Sequence, residues 1–130
     1  MRGLLVEARV ARMATVSPDG RPHLVPICFA LDGDTLYSAV DEKPKATPRL
    51  ARLRNIRANP EVAVLADHYE ENWGRLWWVR VRGRARVEEA GPAWERGVAL
   101  LREKYPQYEG WALEAMTIVE ITEWRGWSAG

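Results

Sequence analysis

Thiol and imidazole chemistry is scarce in this chain: its 130 residues include one cysteine, Cys28, and two histidines, His23 and His68. A single cysteine excludes an internal disulfide framework and a thiolate zinc cluster, and two histidines far apart in sequence make no metal-ligand motif, so no metal is expected. Long apolar runs are missing as well. No stretch approaches the roughly 18 apolar residues that cross a bilayer. The N-terminus, MRGLLVEARVARMA, carries charges that break up any signal-peptide core, and a cytoplasmic protein without membrane contact is expected. An excess of one charge is also lacking. Nineteen Lys and Arg against 18 Asp and Glu leave a net +1, far from the basic excess of a protein that coats nucleic acid.

What is present suits one folded unit. With 47% hydrophobic and 28% charged residues the chain has the makings of a single core, read as one domain over 1–130. Leu4, Leu5, Ala8 and Ala11 fall at helical spacing and predict a short N-terminal helix. Met13 to Val16 reads as a strand, Ser17-Pro18-Asp19-Gly20 as a tight turn, and His23 to Leu31 as the returning strand. Asp32-Gly33-Asp34 turns the chain again into Thr35 to Val40, giving an antiparallel meander. Pro26 donates no ladder hydrogen bond, so it marks an edge, a bulge or a place where something approaches the backbone. Glu61 to Asp67, Leu76 to Glu88 and Met116 to Trp124 complete about six strands. A helix from Ala93 to Lys104 should bury Trp94, Val98, Leu101 and Tyr105. This order of elements favours a small antiparallel barrel with short helices over a βαβ fold.

The stretch from Tyr37 to Pro60 concentrates six basic residues behind a strand end. Thr47 and Pro48 mark a helix start and Asn59-Pro60 its close. Leu50, Leu53 and Ile56 form its apolar face, with Ala51 and Arg54 pointing away. Lys43 and Lys45 precede the helix, and Arg49 and Arg52 lie in and near its first turn, where the dipole favours an anion. Arg57 lies at the opposite end. Two readings are open: a phosphate cradle, or a solvated helix whose arginines pair with carboxylates such as Asp41 and Glu42.

The longest strand signal alternates with period two. Trp77, Val79, Val81, Ala85 and Val87 form a core face, and Trp78, Arg80, Arg82, Arg84 and Arg86 the other, with Gly83 as a candidate bulge. Four arginines in a row repel one another unless acids or a phosphate lie opposite. Seven tryptophans point to a large aromatic interface, a planar ligand or a tryptophan-rich core. No catalytic triad is legible. Cys28 sits in an apolar strand and reads as core rather than nucleophile; His23, His68 and Tyr69 read as surface or loop residues, at most local proton donors.

Four stretches in combination, ATVSPDGRPHLVPICF, LYSAVDEKPK, RLRNIRANPEVAVLAD and HYEENWGRLWWVRVRGRARV, resemble the split β-barrel flavin-binding family related to pyridoxamine 5′-phosphate oxidase. They are most similar to its branch of oxidoreductases using the deazaflavin coenzyme F-420. The resemblance implies a mainly β fold, a six-stranded antiparallel split barrel with short helices of the FMN-binding type. It also implies a homodimer with cofactor sites at the subunit interface and a small planar substrate. On this resemblance Val25, Pro26 and Ile27 contact the ring, while Tyr37, Ser38, Lys43, Lys45, Arg49 and Arg52 hold the phosphate end, with Lys45 and Arg52 both matching the family's phosphate-binding lysine. The implied chemistry is hydride transfer, with F-420 as cofactor and FMN as the alternative. A non-catalytic flavin-binding or nucleic-acid-binding module, using the arginine row and the tryptophans, is the competing reading.

Overall fold

The returning strand expected over His23 to Leu31 does not run unbroken, and the break organises the molecule. In the computed structural model, which describes the backbone of residues 1–40 and 47–130 and the side chains of 1–40 and 51–130, that stretch divides into β2 (Pro22–Ile27) and β3 (Ala30–Asp32). β2 pairs with β1 (Ala11–Val16), whereas β3 pairs with β4 (Thr35–Ala39). The remaining strands are β5 (Glu61–His68), β6 (Trp77–Glu88) and β7 (Met116–Ser128). All pairings are antiparallel, in the order β2-β1-β5-β6-β7-β4-β3. Seven strands therefore replace the six expected, because the bend at Cys28 and Phe29 turns one run of chain into two. These two strands are the opposite edges of the sheet, so the two residues that join them oblige the sheet to roll up. The edges share no ladder, which leaves the barrel split.

The hydroxyl of Tyr105 serves the break. It accepts from the Phe29 N–H at 3.1 Å and lies 3.1 Å from the Phe29 carbonyl and 3.0 Å from that of Arg9. A strand that leaves its ladder exposes backbone groups that need such partners.

Alternation sorts side chains into two cores. Met13, Ile27, Leu36, Val64, Val81 and Val119 lie inside the roll, joined by Leu5 from helix α1 (Arg2–Glu7) and Ile56 from helix α2 (Thr47–Ala58). Tyr37, Ala39, Met116 and Ile118 face the other way and pack beneath helix α3 (Pro92–Lys104), against Val98 and Leu101. Gly97 rather than Trp94 takes the tightest place there, since a Cβ would stand 2.7 Å from Tyr37 Cδ1; Trp94 is half-buried and donates its indole N–H to the Glu114 carbonyl at 2.7 Å. α1 ends earlier than its spacing predicts, and Ala11 is buried as the first residue of β1. The Ser17–Gly20 turn closes as expected, with Gly20 at φ 86. No helix among the described residues is long and apolar enough to cross a membrane.

The bulge expected at Gly83 is present. The register shifts between Arg82 and Gly83, so that Thr122 of β7 is the extra residue. A Cβ on Gly83 would collide with the Glu120 carbonyl oxygen and come within 2.8 Å of Val119 Cγ1.

Candidate functional site

Helix α2 packs on β1 and β6, and the Ala85 N–H donates to the Pro60 carbonyl just beyond its end at 2.8 Å. Leu53 and Ile56 are buried as their spacing predicts, and Arg54 is exposed. Ala51 is the correction: it is buried, not outward. The helix is enclosed more widely than its apolar stripe, and the extra buried face is polar, formed by Arg52 at 6% exposure and Asn55 at 2%. The Asn55 amide donates from Nδ2 to the Thr15 hydroxyl of β1 at 3.1 Å, in a buried contact. Arg57, at the other end, pairs with Glu89 at 3.5 Å.

Ser38 and Thr117 face each other across the β4–β7 ladder. They are almost fully enclosed, at 1% and 0% exposure, and their hydroxyl oxygens have no hydrogen-bond partner among the described residues. Buried hydroxyls usually find a partner, in protein, water or ligand. The buried polar side chains of the described residues are thus Thr15, Ser38, Arg52, Asn55 and Thr117: one cation, four neutral groups and no carboxylate. They form two separate groups, Ser38 with Thr117 on β4 and β7, and Thr15 with Asn55 and Arg52 at α2, and only Arg52 carries a charge that suits an anion.

The sequence-predicted residues fall in three places. Val25, Pro26 and Ile27 lie together on the edge strand β2: Val25 half-buried against the inner core, Ile27 buried in it, and Pro26 exposed opposite Arg12. An edge is where a strand proline belongs, and the register passes it without a bulge. Tyr37 and Ser38 are neighbours on β4 but point to opposite faces, Tyr37 beneath α3 and Ser38 opposite Thr117. Burial raises the pKa of the Tyr37 phenol, aided by Asp32 and Glu120. Arg52 is on the buried side of α2, and Arg49 is in the first turn of the same helix, its side chain outside the described residues. Lys43 and Lys45 also lie outside the described residues. Thr15, Asn55 and Thr117 were not legible as site residues. Asn55 stands one turn from Arg52, and that spacing is the only signal the sequence offers for it.

The arginine row is answered by acids. Arg84 reaches Glu61 at 2.7 Å, Arg86 reaches Glu120 at 2.9 Å and Glu88 at 2.8 Å, and Arg80 and Arg82 share Glu123 at 3.8 and 3.9 Å. Hydrogen bonds from Arg86 and Thr35 lower the pKa of the Glu120 carboxyl. Beside this row the outer face of β2, β1 and β5 is partly apolar: Leu24 is 69% exposed and lies in register with Ala14 and Ala63, while Pro26 is aligned with Leu65 through Arg12, which pairs with Asp67 on the same face. His68 pairs with Glu70, and Tyr69 is exposed. Among the described residues no group of His, Cys, Asp and Glu is placed to hold a metal ion.

A sequence model described as pyridoxamine 5′-phosphate oxidase matches residues 1–128. No curated protein sequence matches this chain. Among solved structures, a conserved hypothetical protein from Mycobacterium tuberculosis superposes with a TM-score of 0.78 at 20% identity, covering 98% of this chain and 81% of that one. The heme storage protein HutZ from Vibrio cholerae gives 0.72 at 16% identity, with 98% and 90% covered. An FAD binding protein from Mycobacterium smegmatis gives 0.64 at 22% identity, with 96% and 88% covered. At these identities the likeness is one of fold.

Proposed function

The chain belongs to the pyridoxamine 5′-phosphate oxidase family, and from that membership we propose that it is a cytoplasmic oxidoreductase working with a phosphate-bearing deazaflavin, F-420, or with FMN. The observation that carries this reading is Arg52, a cation held at 6% exposure on α2; among the described residues no carboxylate is buried. Arg52 would hold the cofactor's phosphate, with Lys43, Lys45 and Arg49 ahead of it in the chain. The Ser38 and Thr117 hydroxyls have no partner among the described residues, but they are enclosed between β4 and β7 and are not assigned to the phosphate. A bound flavin or deazaflavin supplies hydride transfer; the chain's part is to bind, orient and exclude water.

In this reading the edge strand β2 lines the ring side, and a second copy of the chain covers its outer face at Pro26, Val25 being turned to the inner core. The exposed Leu24 and the half-buried Ala14, Ala63 and Leu65 beside it are the kind of outer face that a subunit interface buries. The substrate is a small planar electron acceptor. One structural relative is a heme storage protein, and at 16% identity only the fold is shared with it.

Separate fluorescence titrations with FMN and with F-420 test the reading. Binding of one at micromolar level or tighter, about −8 kcal/mol, is expected. Arg52→Ala should weaken it at least about tenfold, the scale of a lost hydrogen bond to a charged group. Absence of binding to both, together with steeply salt-sensitive binding to nucleic acid, would favour the non-catalytic module instead.

A further inference from the structure

The hydrogen bond from Asn55 Nδ2 to Thr15 Oγ1 ties the middle of α2 to the wall of the barrel, and neither residue has a role in the reading above. Both are 2% exposed. The apolar contacts of Ala51, Leu53 and Ile56 are non-directional and allow a helix to turn or slide on the surface that it covers. A bond between two enclosed polar groups does not allow this, because either movement strands a buried amide. Arg52 precedes Asn55 by three positions, on the same side of the helix and about 4.5 Å along its axis. Whatever fixes Asn55 therefore fixes where the Arg52 backbone stands and the side of α2 from which its side chain departs.

We propose that Thr15 and Asn55 are positioning residues that hold α2 in the one register at which Arg52 meets the phosphate of the cofactor. The proposal rests on the reading that Arg52 is a phosphate ligand. It assigns the pair its main effect at the phosphate end of the ligand, because the bond holds the helix that carries Arg52, whereas β2 on the ring side keeps its own ladder to β1. Discrimination between a phosphorylated ligand and its phosphate-free counterpart is then the property that the bond controls.

The test uses the whole protein and two ligand pairs, FMN against riboflavin and F-420 against its phosphate-free deazaflavin chromophore, with thermal melting measured in parallel. Thr15→Val removes the acceptor at nearly constant shape and Thr15→Ser keeps it. For whichever pair the protein binds, Thr15→Val should raise Kd for the phosphorylated member about tenfold and leave the other within about twofold, and Thr15→Ser should behave as the unaltered chain. Asn55→Ser, which is too short to reach Thr15, should repeat the loss and serves if Thr15→Val does not fold. Equal weakening of both members would mean that the bond merely stabilises the fold and overturns the proposal, as would unchanged discrimination in a folded variant. If the unaltered protein binds a pair without favouring its phosphate, and Arg52→Ala is silent as well, the underlying phosphate reading fails first and takes this one with it.

Discussion

Lys104 Nζ stands 3.9 Å from the centre of the Phe29 ring and 5.3 Å from that of Tyr105, where it has no hydrogen-bond partner among the described residues. Burial, and then the neighbouring Arg9, lower its pKa to about 8. Cation–π attraction softens the loss of water but does not replace hydrogen bonds. A lysine whose folded pKa is lowered binds its proton less well than the unfolded chain does, so stability gains with pH from about 8 up to the ordinary lysine value of 10.5. Tyr105 and Tyr37 act in the opposite sense above about pH 10: burial raises their pKa, so the unfolded chain loses those protons first and stability declines. The expected profile of melting temperature rises from pH 7 to a maximum between about 9 and 10. Lys104→Met should melt higher than the unaltered chain at pH 7 and lose the rise. A flat profile in the unaltered protein would show that the amine is better solvated than its surroundings indicate.

At the scale of the element, the bulge in β7 opposite Gly83 of β6 shows how one glycine sets the course of a neighbouring strand. Gly83→Ala places a methyl group against the Glu120 carbonyl and Val119, where backbone and a buried neighbour have little freedom to move. A loss of about 2 kcal/mol or more in chemical denaturation is expected, in the upper part of the overpacking range; a loss under about 0.5 kcal/mol would mean that the two strands can shift their register. The arginine row on the same strand behaves differently. Its pairs are mostly open to water, as with Arg86 and Glu120 at 45% and 51% side-chain exposure, and exposed pairs of this kind contribute little to stability. Their value is in cancelling like-charge repulsion along β6, and this cancellation is lost as pH falls through the lowered carboxyl pKa values of Glu120 and Glu123.

At the scale of the whole molecule, rolling the sheet brings its two edges to one corner, and among the described residues no helix covers the outer face of β2, β1 and β5. The proposed homodimer uses this face, and Leu24→Arg at its centre should shift the mass measured by light scattering from dimer towards monomer without lowering the melting temperature of a dilute sample by more than about 1 °C, as befits a side chain that is 69% exposed in the single chain. A dimer that survives the substitution would place the interface elsewhere. Cofactor affinity measured on the same variant connects the scales, since sites formed between subunits weaken when the subunits part.

The amino-acid sequence by itself determined the strands, turns and helices, the Gly83 bulge and the family, because period-two and helical spacing, proline and glycine act over a few neighbouring residues. It also narrowed the six basic residues of the stretch from Tyr37 to Pro60 to Lys43, Lys45, Arg49 and Arg52, without choosing among the four. Only the tertiary structure decided that His23 to Leu31 is two strands, because that depends on which distant partner each half finds. Nor could the local pattern tell that Ala51, Arg52 and Asn55 are all enclosed: a helix's apolar stripe reports where it prefers to be buried, not how deeply the barrel end receives it. Thr15, Ser38 and Thr117 are ordinary strand residues until β1, β4 and β7 are placed around one interior. Burial and partnership, which turn such hydroxyls into a candidate site, are properties of the assembled sheet.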